Sequence, residues 1–178
     1  RMPDDMREQN PKVREGVRAL GIPVYEREGV EADDAIATLV GQAEAAGLET
    51  VILTGDLDML QLVTERTTLV VSLRGGMSNT LVYDLAKIED RWGLRPDQML
   101  DYKALKGDPT DNIPGIPGVG EKTAAKLVNT YGDLDGIFAH VDEQTPKLRQ
   151  NLTEHEAQAR LNAEVMVLLR DIPLETDL

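Results

Sequence analysis

The sequence predicts an α/β fold: a mostly parallel sheet with covering helices, followed by a helical C-terminal subdomain. Three observations predict it. Strand-like and helix-like segments alternate through residues 1–107. The run 50–54, Thr-Val-Ile-Leu-Thr, is short, continuous and apolar, the pattern of a strand buried on both faces. After Gly107 the character changes, with Gly and Pro crowded into 108–120 and short helices beyond, so a boundary is placed between 1–107 and 108–178.

Each element has a local reason. Met6, Val13, Val17 and Leu20 recur at helical spacing and Gly21 supplies a stop, while Pro11 places the start of the regular helix near itself. A short strand is expected over 22–26. The next helix opens at Glu31-Ala32-Asp33-Asp34, carries Ile36, Leu39, Val40 and Ala43 on its apolar side, and ends at Gly47. The 50–54 strand runs into Gly55-Asp56-Leu57-Asp58. The segments 67–72 and 80–83, separated by Gly75-Gly76, predict a hairpin at the sheet edge. Helices follow over 85–92 and 96–106.

Composition narrows the chemistry. With no cysteine, disulfides and thiolate metal sites are excluded, and His140 and His155 are too isolated for a histidine zinc site, so any metal must sit on oxygen ligands. A formal charge of -13 argues against a generic basic nucleic-acid binder, unless many of the acids are gathered where cations neutralise them. The scattered aromatics give no base-stacking platform. No stretch has the apolar length of a membrane span, and a soluble, intracellular protein is expected. The chain opens at Arg1 without an initiator methionine, and a preceding segment is expected.

Acids stand out at three element ends. Glu31, Asp33 and Asp34 open a helix, where acids also simply complement the macrodipole by up to about 1 kcal/mol each. Asp56 and Asp58 follow the most strand-like segment, the end of a parallel strand at which ligands bind, although a turn with a helix cap gives the same residues. Asp108 and Asp111 lie among turn formers, and their spacing puts both carboxylates on one side of a helical turn. Together these acids would repel one another unless cations intervened, and hard oxygen donors select Mg²⁺ or Mn²⁺. The chemistry this suits is phosphodiester hydrolysis with two ions about 3.5–4 Å apart.

The segment 115–127 is the most specific local signal. Gly115, Gly118 and Gly120 let a backbone approach a ligand closely, and the turn feeds a helix start whose free N–H groups attract anions, with Lys122, Thr123 and Lys126 beside it. It reads as a phosphate clip. The order Gly120-Glu121-Lys122-Thr123, following no strand, is not that of a nucleotide-binding loop. A tight corner between two helices would use similar residues.

Four motifs, Val30-Glu31-Ala32-Asp33-Asp34, the run 54–62, the run 106–115 and Gly118-Val119-Gly120-Glu121-Lys122-Thr123-Ala124, resemble in order and spacing the 5′-nuclease domain of bacterial DNA polymerase I and its flap-endonuclease relatives. The resemblance extends from about residue 4 to the closing 170–175 and so covers essentially the whole chain. It implies a PIN-like, resolvase-like core with a helix-three-turn-helix element that grips duplex DNA through its backbone. It implies a first metal site on Glu31, Asp33 and Asp34, a second on Asp56, Asp58, Asp108 and Asp111, and a K⁺ ion at the glycine turn. The expected partner is DNA with a 5′ flap or 5′ end, the expected state a monomer, and a polymerase domain is expected to follow. The family's opening strand with its Asp, a further Asp and a basic helical gateway have no counterpart here, which leaves the first metal site incomplete. A non-catalytic DNA-structure-binding module, or a phosphatase-like enzyme using Asp56 and Asp58, are the other readings.

Overall fold

The computed structural model describes residues 4–72, 79–174 and 176. Helix α1 (Asp4–Ala19) and helix α2 (Ala32–Ala45) precede strand β1 (Thr50–Thr54), a 3₁₀ turn (Leu57–Leu62), strands β2 (Thr67–Ser72) and β3 (Thr80–Tyr83), and helix α3 (Leu85–Trp92). A 3₁₀ turn (Pro96–Gln98) leads into helix α4 (Met99–Lys106). Next come the two-residue strands β4 (Gly107–Asp108) and β5 (Ile113–Pro114), then helices α5 (Glu121–Tyr131), α6 (Leu134–Ala139) and α7 (Pro146–Met166).

The larger sheet has the order β1-β2-β3, with β1 and β2 parallel and β2 and β3 antiparallel. The hairpin expected at the sheet edge is therefore present; its Gly75-Gly76 turn lies outside the described residues. Crossing from β1 to β2 takes about a dozen residues, close to the least that a parallel connection needs, and the 3₁₀ turn that fills it buries Met59, Leu60 and Leu62. Strand β2 alternates buried and half-buried positions, with Leu69 and Val71 in the core.

Four expectations are corrected. Residues 22–26 form no strand: a strand exists only where its N–H and C=O groups find a partner, and among the described residues none pairs with this run. Strand β1 is buried on one face only, Ile52 being 5% exposed and its neighbours Val51 and Leu53 70% and 51%. An apolar run shows that a strand can be covered on both faces, not that anything covers it. Helix α1 starts at Asp4 and runs through Pro11 rather than beginning there. A proline deprives the carbonyl one turn back of its N–H partner, and because this helix is exposed along nearly its whole length, water can reach that carbonyl. The last helix is also longer than the short helices expected, spanning 21 residues.

The core is continuous from the sheet into the C-terminal helices. Leu69, Tyr83 and Ile88 join Leu105 and Ala104 on α4, which packs against α5 and α7 through Leu127, Val128 and Leu152. Two side chains of α7 serve as latches. Asn151 donates to the Pro117 carbonyl at 2.6 Å, and the buried Asn162 donates to the carbonyls of Ala104 at 2.9 Å and Pro114 at 2.8 Å. One helix thus fixes the glycine turn, the end of α4 and the β4–β5 ribbon together. α4 and α5, joined by that ribbon and the glycine turn, stand where a helix-three-turn-helix was expected.

Candidate metal centre

The three acidic groups converge on two adjoining clefts. One is lined by Glu31, Asp33, Asp34, Asp56, Asp58 and Asp111, the other by Asp56, Asp58, Asp108 and Asp111, so three of the acids are shared between them. Glu31 is the N-cap of α2 but makes no capping hydrogen bond, which leaves its carboxylate unspent, and Asp33 and Asp34 occupy the first turn. Asp56 caps the 3₁₀ turn after β1, accepting from the Asp58 amide at 2.8 Å, while its own amide donates to Thr54 Oγ1 at 3.1 Å. The structural reading of Asp56 as a cap and its place at a strand end are both correct.

Asp108 and Asp111 are not carried on a helical turn, as their spacing suggested, but on the β4–β5 ribbon, where Gly107 faces Pro114 and Asp108 faces Ile113. Asp108 accepts from the Thr110 amide at 2.8 Å, and Asn112 takes the left-handed conformation at φ 57°, which asparagine tolerates better than most residues. The ribbon closes only because Gly107 and Gly115 bear no side chain: a Cβ on Gly115 would collide with the Lys106 carbonyl, and one on Gly107 with the Gly115 amide. Gly115 is thus a packing glycine that sets the position of the two acids.

The charge is distributed unevenly. Lys103 of α4 is buried and its ammonium pairs with both Asp58 and Asp108, the latter at 2.9 Å. Burial by itself would raise the Asp108 carboxyl, but the Lys103 ammonium and the Thr110 amide hold it below the usual carboxylate range. In the neighbouring cleft no such cation stands among the lining residues. The Asp33 carboxyl is pushed up, first by burial and then by Asp56, Glu31, Asp34 and Asp111. Sequence reasoning missed Lys103, although a lysine between Tyr102 and Ala104 on the apolar side of a helix was the available signal.

Among the described residues no three His, Cys, Asp or Glu side chains stand close enough to enclose one ion. The acids line shared walls rather than a single point. Their donor chemistry nonetheless fits a hard divalent cation: every donor is a carboxylate oxygen, and the Asp33 carboxyl is raised by burial and by the carboxylates around it.

The glycine turn follows the ribbon directly and is tied to α4 by the Ile116 amide, which donates to the Leu105 carbonyl at 2.8 Å. Gly118 has φ +79°, a conformation that needs glycine, and Gly120 is the N-cap of α5, offering no side chain to the first-turn amides. Lys122 and Lys126 are exposed one turn apart on α5, and Thr123 is half-buried between them. Lys106 approaches Glu121 at 3.9 Å, which ties the start of α5 to the end of α4.

Comparison with known proteins covers the whole chain. Residues 1–93 match the family model described as 5′-3′ exonuclease, N-terminal resolvase-like domain, and residues 94–178 match that of 5′-3′ exonuclease, C-terminal SAM fold. DNA polymerase I of Bacillus caldotenax is 40% identical over 177 residues, 99% of this chain and 20% of that protein. DNA polymerase I of Mycobacterium tuberculosis (strain ATCC 25618 / H37Rv) is 44% identical over 172 residues, 97% of this chain and 19% of that protein. The chain therefore spans about a fifth of the length of these curated relatives. In fold it is similar to T5 5′-exonuclease solved with divalent zinc ions (TM-score 0.77, 21% identity, 95% of this chain and 64% of that one). It is also similar to the catalytic core of Rad2 in complex with DNA substrate (TM-score 0.61, 20% identity, 96% of this chain and 57% of that one).

Proposed function

Because the chain belongs to the 5′-3′ exonuclease family, we propose that it forms most of a divalent-metal-dependent nuclease that hydrolyses DNA phosphodiesters at 5′ flaps and 5′ ends. The observation that carries this reading is the gathering of acids from three separate chain segments around two clefts that share Asp56, Asp58 and Asp111. Glu31 and Asp33 would hold one ion and Asp56, Asp58, Asp108 and Asp111 the other, with Mg²⁺ or Mn²⁺ as the natural occupants of an all-carboxylate site. When bound, such ions supply an activated water and charge stabilisation for in-line displacement at phosphorus.

The chain's own residues do the rest. Lys103 holds Asp58 and Asp108 in place from beneath. The α5 start, with Gly118, Gly120, Lys122, Thr123 and Lys126, binds a backbone phosphate of the duplex through free amides and positive charge, and the glycine turn would hold K⁺ through backbone carbonyls. This fixes the DNA at a set distance from the acids, because Asn151 and Asn162 of α7 clamp the glycine turn and the ribbon to the same helix.

Cleavage of a 5′-flap duplex by the natural protein carrying this chain is the test. Cleavage is expected with Mg²⁺ or Mn²⁺ and not with a chelator, and Asp56→Asn should abolish it while leaving duplex binding intact. A flap that is bound but uncut with either ion would exclude catalysis. That outcome would favour the second reading, a DNA-structure-binding module without catalysis, to which the wide spacing of the carboxylates gives some support.

A further inference from the structure

The outer wall of the acidic cleft is the segment from the end of α7 into the C-terminal tail, with Glu164, Val165, Val167 and Leu169 facing it. This tail is fastened to α2 by a regular device. Asp34 Oδ1 accepts from the Leu169 amide at 2.9 Å, Thr38 Oγ1 accepts from the Ile172 amide at 3.2 Å, and Gln42 donates to the Leu174 carbonyl at 3.2 Å while accepting from the Thr176 hydroxyl. Asp34, Thr38 and Gln42 are successive residues of one i, i+4, i+8 stripe. They meet the tail in the order in which it runs. Arg170 donates to the Gln61 carbonyl at 3.0 Å, and Arg27 to that of Pro173 at 2.9 Å.

We propose that Asp34 is a positioning residue rather than a metal ligand: it is the first rung of a polar ladder on α2 that holds the tail, from 167 to 174 and at Thr176, against the acid-bearing turn. Two acids stand side by side in that turn, and the geometry gives them different work. Asp33 is surrounded by other carboxylates, whereas one Asp34 oxygen is already committed to a backbone amide 135 residues away in sequence. Without the first rung the tail would lift from the cleft, and the helix start that presents Glu31 and Asp33 would lose its outer support. The inference rests on the metal-site reading only for the contrast between Asp33 and Asp34; the ladder itself is independent of it.

The experiment is residue-resolved amide exchange of Leu169 and Ile172, paired with Mn²⁺ titration, on Asp34→Ala, Asp34→Asn, Thr38→Val and Asp33→Asn. Asp34→Ala and Thr38→Val should each speed exchange of both amides by about tenfold or more, since the rungs release as one local unit. Asp34→Asn, which keeps the accepting oxygen, should preserve protection and should lose at least about tenfold less Mn²⁺ affinity than Asp33→Asn. An Asp34→Asn protein that keeps the tail protected yet binds Mn²⁺ as poorly as Asp33→Asn would overturn the proposal, as would a Leu169 amide indifferent to Asp34→Ala. Should Asp33→Asn leave Mn²⁺ binding unchanged, the metal reading fails, and the exchange of the two amides still decides the role of the ladder.

Discussion

The two clefts are built from overlapping acids and yet are neutralised in opposite ways. On the α4 side, Asp58 and Asp108 share a buried lysine, and that ammonium helps hold the Asp108 carboxyl below the usual carboxylate range. On the α2 side, the acid-lined cleft has no lysine or arginine among the described residues of its walls, and burial and neighbouring carboxylates raise the Asp33 carboxyl. The difference teaches that one half of the centre is part of the folded architecture while the other half is held in readiness for cations from outside.

Removing the internal cation breaks this comparison most directly. Lys103→Met should lower stability by about 2–4 kcal/mol in chelator, because two acids would be left facing each other with no partner. Urea unfolding measures the loss, and added Mn²⁺ should recover part of it. A change below about 0.5 kcal/mol, the range of an ordinary surface substitution, would mean that the buried pair is not structural. Gly115→Ala tests the same half through its backbone and should cost about 3 kcal/mol or more, since the new carbon meets a carbonyl that cannot retreat. Thermal unfolding would show it.

The bare half answers differently. Asp33→Asn removes a charge that its neighbours oppose, so the variant should be slightly more stable than the parent at neutral pH in chelator, yet weaker in Mn²⁺ affinity by about tenfold or more, equivalent to 1.4 kcal/mol. Calorimetric titration beside a melting curve separates the two effects. Equal stability loss in Asp33→Asn and Lys103→Met would erase the distinction between the halves.

Much of this was legible in the sequence. The strands 50–54, 67–72 and 80–83, the helix 85–92 and the first two acidic groups lie where residue patterns put them. What could not be read were relations between distant segments. Nothing in the order Gly-Asp-Pro-Thr-Asp-Asn distinguishes a helical turn from a ribbon, because the choice is made by the contact of Gly107 with Gly115. The run 22–26 has strand composition but no pairing partner among the described residues, and composition carries no record of a partner. Asn151 and Asn162, three helical turns apart on one face of α7, look like ordinary surface polar residues until the carbonyls beneath them are known.

Weaker effects sharpen the contrast further from the cleft. Lys122→Ala should reduce duplex DNA affinity and lower the slope of log affinity against log salt by about 0.9, as expected for one lost phosphate contact. Filter binding at several salt concentrations checks this, and an unchanged slope would remove Lys122 from the interface. Smallest is the effect at Asp101 of α4, whose carboxyl is pushed up to about 6, chiefly by burial and then by Asp133. A raised carboxyl binds its proton more tightly in the folded state, so the parent is relatively most stable below about pH 4 and loses that advantage as pH rises through about 6. Asp101→Asn should therefore melt a few degrees higher at pH 7 and like the parent at pH 4; a difference that does not vary with pH would contradict it.

The bare outer side of β1 has a practical consequence. With Val51 and Leu53 uncovered and, among the described residues, no neighbour beyond β1 in the sheet order, this strand offers a greasy surface and a pairing edge to any second molecule. Solutions of the polypeptide should turn cloudy as they are concentrated, and lysine introduced at position 51 should keep them clear without disturbing the acidic centre.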